Sequence, residues 1–146
     1  FYMNKIPECQ IHPVSIKLLR QGHPWITPDS YSNRFPRQSE FVIAMDERRR
    51  PMALLLHDPQ HRNVKARLWT TKYPFEREAQ HFTAGIQARI DLAIDKRVQM
   101  KELKERENFY LVFGEADQLP GLFIQKLSDR ILIQFYTAFW NRYKTI

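Results

Sequence analysis

The sequence is poor in cysteine and glycine, and it contains no long apolar run. Cys9 is the only cysteine, which excludes an internal disulfide and a paired-cysteine metal site. No apolar segment is long enough to span a membrane, and the first ten residues lack the apolar core of a signal peptide. Because 43% of the 146 residues are hydrophobic, the chain can bury a core, and we predict a folded cytoplasmic protein.

The positive charge is concentrated in the first half of the chain. The net charge is +7, and residues 1–75 contain twelve Lys/Arg against six Asp/Glu, whereas residues 76–146 contain eleven against ten. A basic module followed by a nearly neutral one is typical of a polyanion-binding unit attached to something else. Ordinary solubility charge is the alternative explanation.

The first half consists of short apolar segments separated by proline-rich loops. Because these segments have strand length and turn-forming residues bound them, they predict a small closed or nearly closed β-barrel. The predicted strands are "VSIKLL" (14–19), "EFVIAM" (40–45), "PMALLLH" (51–57) and "VKARLWT" (64–70).

From Pro74 the apolar residues recur every three or four positions, which predicts a long amphipathic helix. Acidic residues near its start and basic residues near its end, Lys101, Lys104 and Arg106, would complement the helix dipole. Three strands are predicted next, at 109–115, 121–127 and 130–136, with "LSDR" as the turn between the last two. The final "TAFWNRYKTI" has the pattern of another helix that is just beginning, so we expect the sequence to be cut from a longer protein.

The stretch "FGEADQLPGLFIQ" (113–125) contains two of the four glycines and two carboxylates, Glu115 and Asp117. Two carboxylates this close can divide the acid and base roles of a hydrolase. The alternative is that Gly114, Pro120 and Gly121 form a tight connection, with Asp117 bonded to nearby backbone amides.

Three segments follow one another along the chain: "LLRQGHPWI", "DPQHRNVKARLWT" and "YLVFGEADQLPGLFIQKLSDRILIQF". In this order they resemble segments of the rRNA cytosine-5 methyltransferases that carry an N-terminal PUA domain. The sequence departs from the family pattern at Gln118, where glycine is usual, and at Gln125, where aspartate is common.

This resemblance implies an α+β architecture with a PUA-type RNA-binding barrel at 1–72 and an incomplete central strand-helix-strand domain at 73–146. It also implies a Rossmann-like catalytic domain beyond residue 146, which binds S-adenosylmethionine and is an expected partner. No glycine-rich strand-to-helix turn for a nucleotide-type cofactor occurs in the chain. In such enzymes a cysteine thiolate attacks the cytosine ring, but Cys9 matches no family motif, so no catalytic residue is predicted here.

The predicted RNA contacts are basic residues of the first half: Lys17, Arg20, His23, Lys65 and Arg67. Lys65 and Arg67 alternate with Val64, Ala66 and Leu68, so the two cations are expected on the exposed face of a strand. Trp25 could stack on a base or fill the core. The loop "DERRR" (46–50) ranks lower as an RNA contact, because its acids partly offset its arginines. The histidines show no spacing typical of metal ligands.

The sequence therefore predicts the RNA-binding region of an rRNA methyltransferase, without catalysis of its own. Two alternatives remain: a stand-alone PUA-type RNA-binding adaptor, and an acid-base hydrolase that uses Glu115 and Asp117. A homodimer is left open.

Overall fold

A five-stranded sheet and a three-stranded sheet form the framework of two separate compact units. The computed structural model describes residues 5–28 and 40–144. The first unit extends over residues 1–80 and the second over residues 81–146, and the predicted domain boundary after residue 72 stays a prediction. Each unit is described by itself below.

The sheet of the first unit has the strand order β1-β3-β4-β5-β2. β1 runs parallel to β3, and the other neighbouring strands pair antiparallel. A short helix, α1 (Pro13–Arg20), follows β1, and a second, α2 (Phe75–Gln80), follows β5. The strands are β1 (Glu8–Gln10), β2 (Trp25–Ile26), β3 (Phe41–Met45), β4 (Pro51–His57) and β5 (Ala66–Thr70).

β4 forms the centre of this unit and is buried on both faces. Four consecutive residues, Ala53 to Leu56, are at most 1% exposed. On one face Ala53 and Leu55 join a core cluster that includes Ile16 and Leu19 of α1. α2 also contacts β4 and contributes the buried Phe75. Burial on both faces explains why the strand is a continuous apolar run rather than an alternating one.

The predicted strands of the first half are confirmed at β3 and β4, and β5 begins slightly later than predicted. The predicted strand at 14–19 is wrong, because these residues form α1. Among the described residues β1 and β2 end the strand order and do not pair with each other, so the structure establishes a mixed α+β unit without establishing a closed barrel. Much of the proline-rich loop between the predicted strands at 14–19 and 40–45 lies outside the described residues.

The second unit consists of one long helix and a three-stranded antiparallel sheet in the order β6-β7-β8. The predicted single helix is divided at His81: α2 ends at Gln80, and α3 begins at Phe82. The predicted three strands are confirmed. The elements of this unit are α3 (Phe82–Gln99), β6 (Asn108–Phe113), β7 (Leu122–Leu127) and β8 (Arg130–Phe135).

An aromatic cluster closes one end of this unit. The Phe82 ring of α3 lies 5.5 Å from the Phe139 ring and 6.0 Å from the Trp140 ring, centroid to centroid. Trp140 is 1% exposed, and its indole N–H donates to the Pro120 carbonyl at 2.7 Å. The predicted last helix is a short 3-10 helix, Ala138–Tyr143, which Thr137 caps by accepting from the Phe139 amide.

Candidate nucleic-acid interface

α1 presents two basic residues in its last turn, Lys17 and Arg20. The helix forms because His12 caps its start, where the imidazole Nδ1 accepts from the Val14 amide at 3.1 Å, and Pro13 occupies the first turn, where a missing N–H costs nothing. Ser15, Ile16 and Leu19 face the core at helical spacing. The outward face therefore carries Lys17 and Arg20, both exposed.

A glycine ends α1 and directs the chain into β2. Gly22 has φ +87° and so occupies the left-handed region, which costs glycine little. Its amide donates to Leu19 O at 3.0 Å, and the next amide, of His23, donates to Leu18 O at 2.9 Å. This pair of bonds is a Schellman motif. His23 is exposed, and its ring makes an edge contact with Trp25, which is 40% exposed.

The β3–β4 turn lies beside the end of α1. Arg20 Nη1 contacts Glu47 Oε1 at 3.0 Å, and Arg20 Nη2 lies 3.7 Å from Asp46 Oδ2. Asp46 holds the turn closed, because its Oδ1 accepts from the amides of Arg48 and Arg50, each at 2.9 Å. The Arg50 amide, with the Arg48 amide and the Arg50 guanidinium, lowers the pKa of Asp46 despite its desolvation.

Three cations near this junction keep their side chains unpaired within the part of the chain that the structure describes: Lys17, Arg48 and Arg49. All three are exposed. The acids of the turn are engaged by Arg20 and Arg50, so they neutralise those arginines and leave the other cations available. Charge counting cannot show this, because it does not reveal which arginine each carboxylate pairs with.

Two predicted RNA contacts, Lys65 just before β5 and Arg67 within it, differ in how exposed their side chains are. Lys65 is partly exposed, and its Nζ donates to Pro59 O at 3.1 Å. The prediction that Arg67 lies on an exposed face is wrong: Arg67 is 5% exposed, and its Nη1 lies 3.4 Å from Asp58 Oδ2. Ala66, the residue before Arg67, is also fully buried, and adjacent strand residues point to opposite faces, so both faces of β5 are covered at this point. Arg67 therefore has a structural position, while Lys65 stays a candidate contact.

In the second unit, Asp117 belongs to a rigid turn between β6 and β7. Its Oδ1 accepts from Arg97 Nη1 at 2.6 Å, and its Oδ2 accepts from Arg97 Nη2 and from the Phe113 amide, each at 2.7 Å. Burial raises the pKa of Asp117, but the Arg97 and Phe113 hydrogen bonds outweigh it, so the pKa is below its usual value. A carboxylate so bonded stays ionised at neutral pH and does not suit the role of a general acid.

The glycines and Gln118 determine the path of the same turn. A Cβ at Gly114 would lie 2.8 Å from Phe123 Cζ, and one at Gly121 would lie 2.8 Å from Thr137 Cγ2. Gln118 itself has φ 58°, a left-handed conformation in which a non-glycine residue is strained. Its carbonyl accepts from Arg89 Nη1 at 2.6 Å. The geometry supports the interpretation of "GEADQLPG" as a structural connection.

The described residues contain no group of three or more His, Cys, Asp or Glu that could hold a metal ion. Cys9 is buried, and burial raises the pKa of its thiol, which disfavours the thiolate form. None of the helices in the described ranges is long and apolar enough to cross a membrane.

Two solved structures share the fold of this chain. One, from Streptococcus mutans, is assigned as a SAM-dependent methyltransferase; it superposes with a TM-score of 0.71 at 14% identity and covers 96% of this chain. The other, assigned as a methyltransferase and complexed with SAH, gives a TM-score of 0.74, again at 14% identity over 96% of this chain. In each case the match covers 35% of the solved chain, so the fold is that of one part of these proteins.

No family model matches the chain. Comparison with individual proteins does find relatives of one class. The chain is 27% identical over 128 residues to the ribosomal RNA large subunit methyltransferase of Deinococcus radiodurans, across 84% of this chain and 30% of that protein. It is 28% identical over 132 residues to ribosomal RNA large subunit methyltransferase I of Pseudoalteromonas translucida, across 88% of this chain and 32% of that protein. The homologues of this chain are thus rRNA large subunit methyltransferases, and the chain spans about a third of their length.

Proposed function

We propose that this chain is the RNA-binding region of an S-adenosylmethionine-dependent rRNA (cytosine-5) methyltransferase, with a PUA-type first unit and a central second unit. The observation that carries the proposal is the similarity to rRNA large subunit methyltransferases across 84–88% of the chain, although the chain spans only 30–32% of their length. Methyl transfer and binding of S-adenosylmethionine then belong to a catalytic domain elsewhere in the whole protein.

The surface around the end of α1 suits RNA phosphates. Lys17, Arg48 and Arg49 are exposed and unpaired among the described residues, whereas Arg20 pairs with Glu47 and lies 3.7 Å from Asp46. Lysine and arginine bind phosphate electrostatically and release counterions, which supplies affinity without reading sequence. His23 and Lys65 extend the proposed surface, and the half-exposed Trp25 offers an aromatic face for a base.

The hydrolase alternative fits the structure less well, whereas the adaptor alternative fits it equally. A hydrolase that uses Glu115 and Asp117 needs one carboxyl group to hold a proton, whereas Arg97 and the Phe113 amide stabilise the ionised form of Asp117. A stand-alone PUA-type adaptor would use the same RNA surface, so it differs from the proposal only in whether the whole protein transfers a methyl group.

Two titrations of the chain test the proposal. Fluorescence anisotropy with fragments of large-subunit rRNA should show saturable binding, and calorimetry with S-adenosylmethionine should show none. One-to-one binding of S-adenosylmethionine at micromolar concentration would overturn the placement of the cofactor site outside this chain. Absence of RNA binding at low salt would overturn the RNA-binding role.

A further inference from the structure

A cavity of about 270 Å³ lies in the second unit, where the end of α3 and the following 3-10 turn meet β6 and β7. Its apolar lining includes Leu103, Phe109 and Leu111. The cavity is slightly smaller than the roughly 300–1,000 Å³ of typical small-molecule pockets, so it suits one small unit and not an extended ligand.

The charged residues that line this cavity are all cations: Arg97, Lys104, Arg106 and Lys126. Residues 97–126 contain five Lys/Arg and five Asp/Glu. None of the glutamates in this segment lines the cavity. This separation of charge makes the cavity attractive to an anion, whereas the surrounding segment is nearly neutral.

The four cations differ in how far they are already engaged. Arg97 bonds Asp117, and Lys126 Nζ donates to Ser128 O at 2.8 Å while lying 5.8 Å from the centroid of the Phe109 ring. Lys104 and Arg106 are exposed, and their side chains bond no residue in the described ranges. These two cations can therefore take a ligand without first losing a partner.

We propose that this cavity binds one nucleotide of single-stranded RNA, with the base against Phe109 and its apolar neighbours and the phosphate on Lys104 and Arg106. A simple anion would not need the apolar lining, and an apolar ligand would not need four cations. A nucleotide has both parts, since a base stacks on an aromatic ring while lysine and arginine neutralise the phosphate. This inference rests on the proposed function and adds a second RNA contact, in the second unit.

The test compares two pairs of substitutions that remove the same charge. Lys104→Gln with Arg106→Gln removes the free cations of the cavity, and Lys96→Gln with Lys101→Gln removes two exposed cations that do not line it. The probe is a short fluorescent oligouridine. The Lys104/Arg106 pair, called the cavity pair, should lower the affinity for this probe about tenfold, because both cations that contact the phosphate are lost. The Lys96/Lys101 pair, called the control pair, should lower it less than about twofold.

A second variant, Phe109→Leu, keeps an apolar side chain but removes the ring and should lower the affinity about fivefold. Ultraviolet crosslinking of a 4-thiouridine oligonucleotide, mapped by mass spectrometry, should locate a crosslink among residues 103–111. Thermal melts confirm that each variant is folded.

The outcomes separate this inference from the proposed function. If the unaltered chain binds no RNA, the proposed function fails and this site fails with it. If the chain binds RNA but the cavity and control pairs weaken it equally, or the crosslinks lie only in the first unit, the RNA-binding role stands and this site is overturned. A loss with the cavity pair but none with Phe109→Leu would reduce the site to a charged surface and contradict the nucleotide proposal.

Discussion

Arg97 of α3 donates two hydrogen bonds to the Asp117 carboxylate in the β6–β7 turn, from Nη1 to Oδ1 at 2.6 Å and from Nη2 to Oδ2 at 2.7 Å. This two-point contact joins the helix to the sheet within the second unit, and the Phe113 amide adds a third bond to the same carboxylate. Both partners are largely buried, with side-chain exposures of 14% and 4%. The contact explains the aspartate of the "GEADQLPG" motif as a structural residue.

Replacing Asp117 with asparagine should lower the free energy of unfolding by about 3 kcal/mol, because Arg97 would be left as a buried charge without its partner. Urea unfolding followed by circular dichroism measures the change. The matched control is Asp129→Asn in the exposed turn between β7 and β8, which should stay within about 0.5 kcal/mol. Equal stability of the two variants would contradict the structural role.

The contribution of Asp117 should also depend on pH. Because its pKa is lowered in the folded state, the folded protein binds fewer protons than the unfolded chain near that pKa. The contribution is complete above the unfolded pKa of about 3.9 and is lost as the pH falls through the lower folded value. The stability difference between the unaltered chain and Asp117→Asn should therefore be constant near neutral pH and shrink below about pH 4. A difference that does not change at acid pH would refute this linkage.

Gln118→Gly should stabilise the second unit by about 0.5–1 kcal/mol. Gln118 has φ 58°, and glycine adopts this conformation without the steric cost that a side chain imposes. The Arg89 bond is retained because it is made to the backbone carbonyl. Gln118→Ala keeps the strained conformation and serves as the control, which should show no gain. Thermal unfolding distinguishes the two variants, and equal melting temperatures would count against the strain argument.

Substitution by methionine should lower the stability of the protein at Arg67 but its RNA affinity at Lys65. Arg67→Met breaks the buried contact with Asp58 and should cost about 3 kcal/mol of stability, while the folded protein keeps its RNA affinity. Lys65→Met should change stability by less than about 0.5 kcal/mol and weaken RNA binding. Melts and anisotropy titrations on both variants check this pair. A weaker RNA affinity of fully folded Arg67→Met would restore Arg67 as an RNA contact.

The sequence predicted the strands that are buried or alternating, because their patterns are long enough to be distinctive. β4 was predicted with its observed bounds, since a run that is apolar from Pro51 to Leu56 and ends at His57 fits a central strand. α1 was mistaken for a strand because the first five residues of "VSIKLL" (14–19) alternate between apolar and polar, and so short a run also fits a helix. The missed signals lie outside that run: Pro13 at the start, and Gly22 just after the end.

The candidate interface was predictable only in part, because sequence shows which residues are charged but not how they pair. Lys17 and His23 lie exposed as expected, whereas Arg67 is turned inward to Asp58. The acids beside Arg48 and Arg49 in sequence bond Arg20 and Arg50 instead, which the sequence does not show. Such pairings depend on which elements the fold places side by side.

The salt dependence of RNA binding tests the central claim most directly. For a large-subunit rRNA fragment with single-stranded contacts, one phosphate contact by each of Lys17, Arg48, Arg49 and Lys65 predicts that log K falls against log salt with a slope of about −3. Lys17→Gln with Arg48→Gln should flatten the slope by about 1.4, since each lost contact removes about 0.7. Lys5→Gln with Arg77→Gln, which removes equal charge from the same unit, should leave it unchanged. An affinity that does not respond to salt, or equal slopes for both pairs, would contradict an RNA-binding surface at the end of α1.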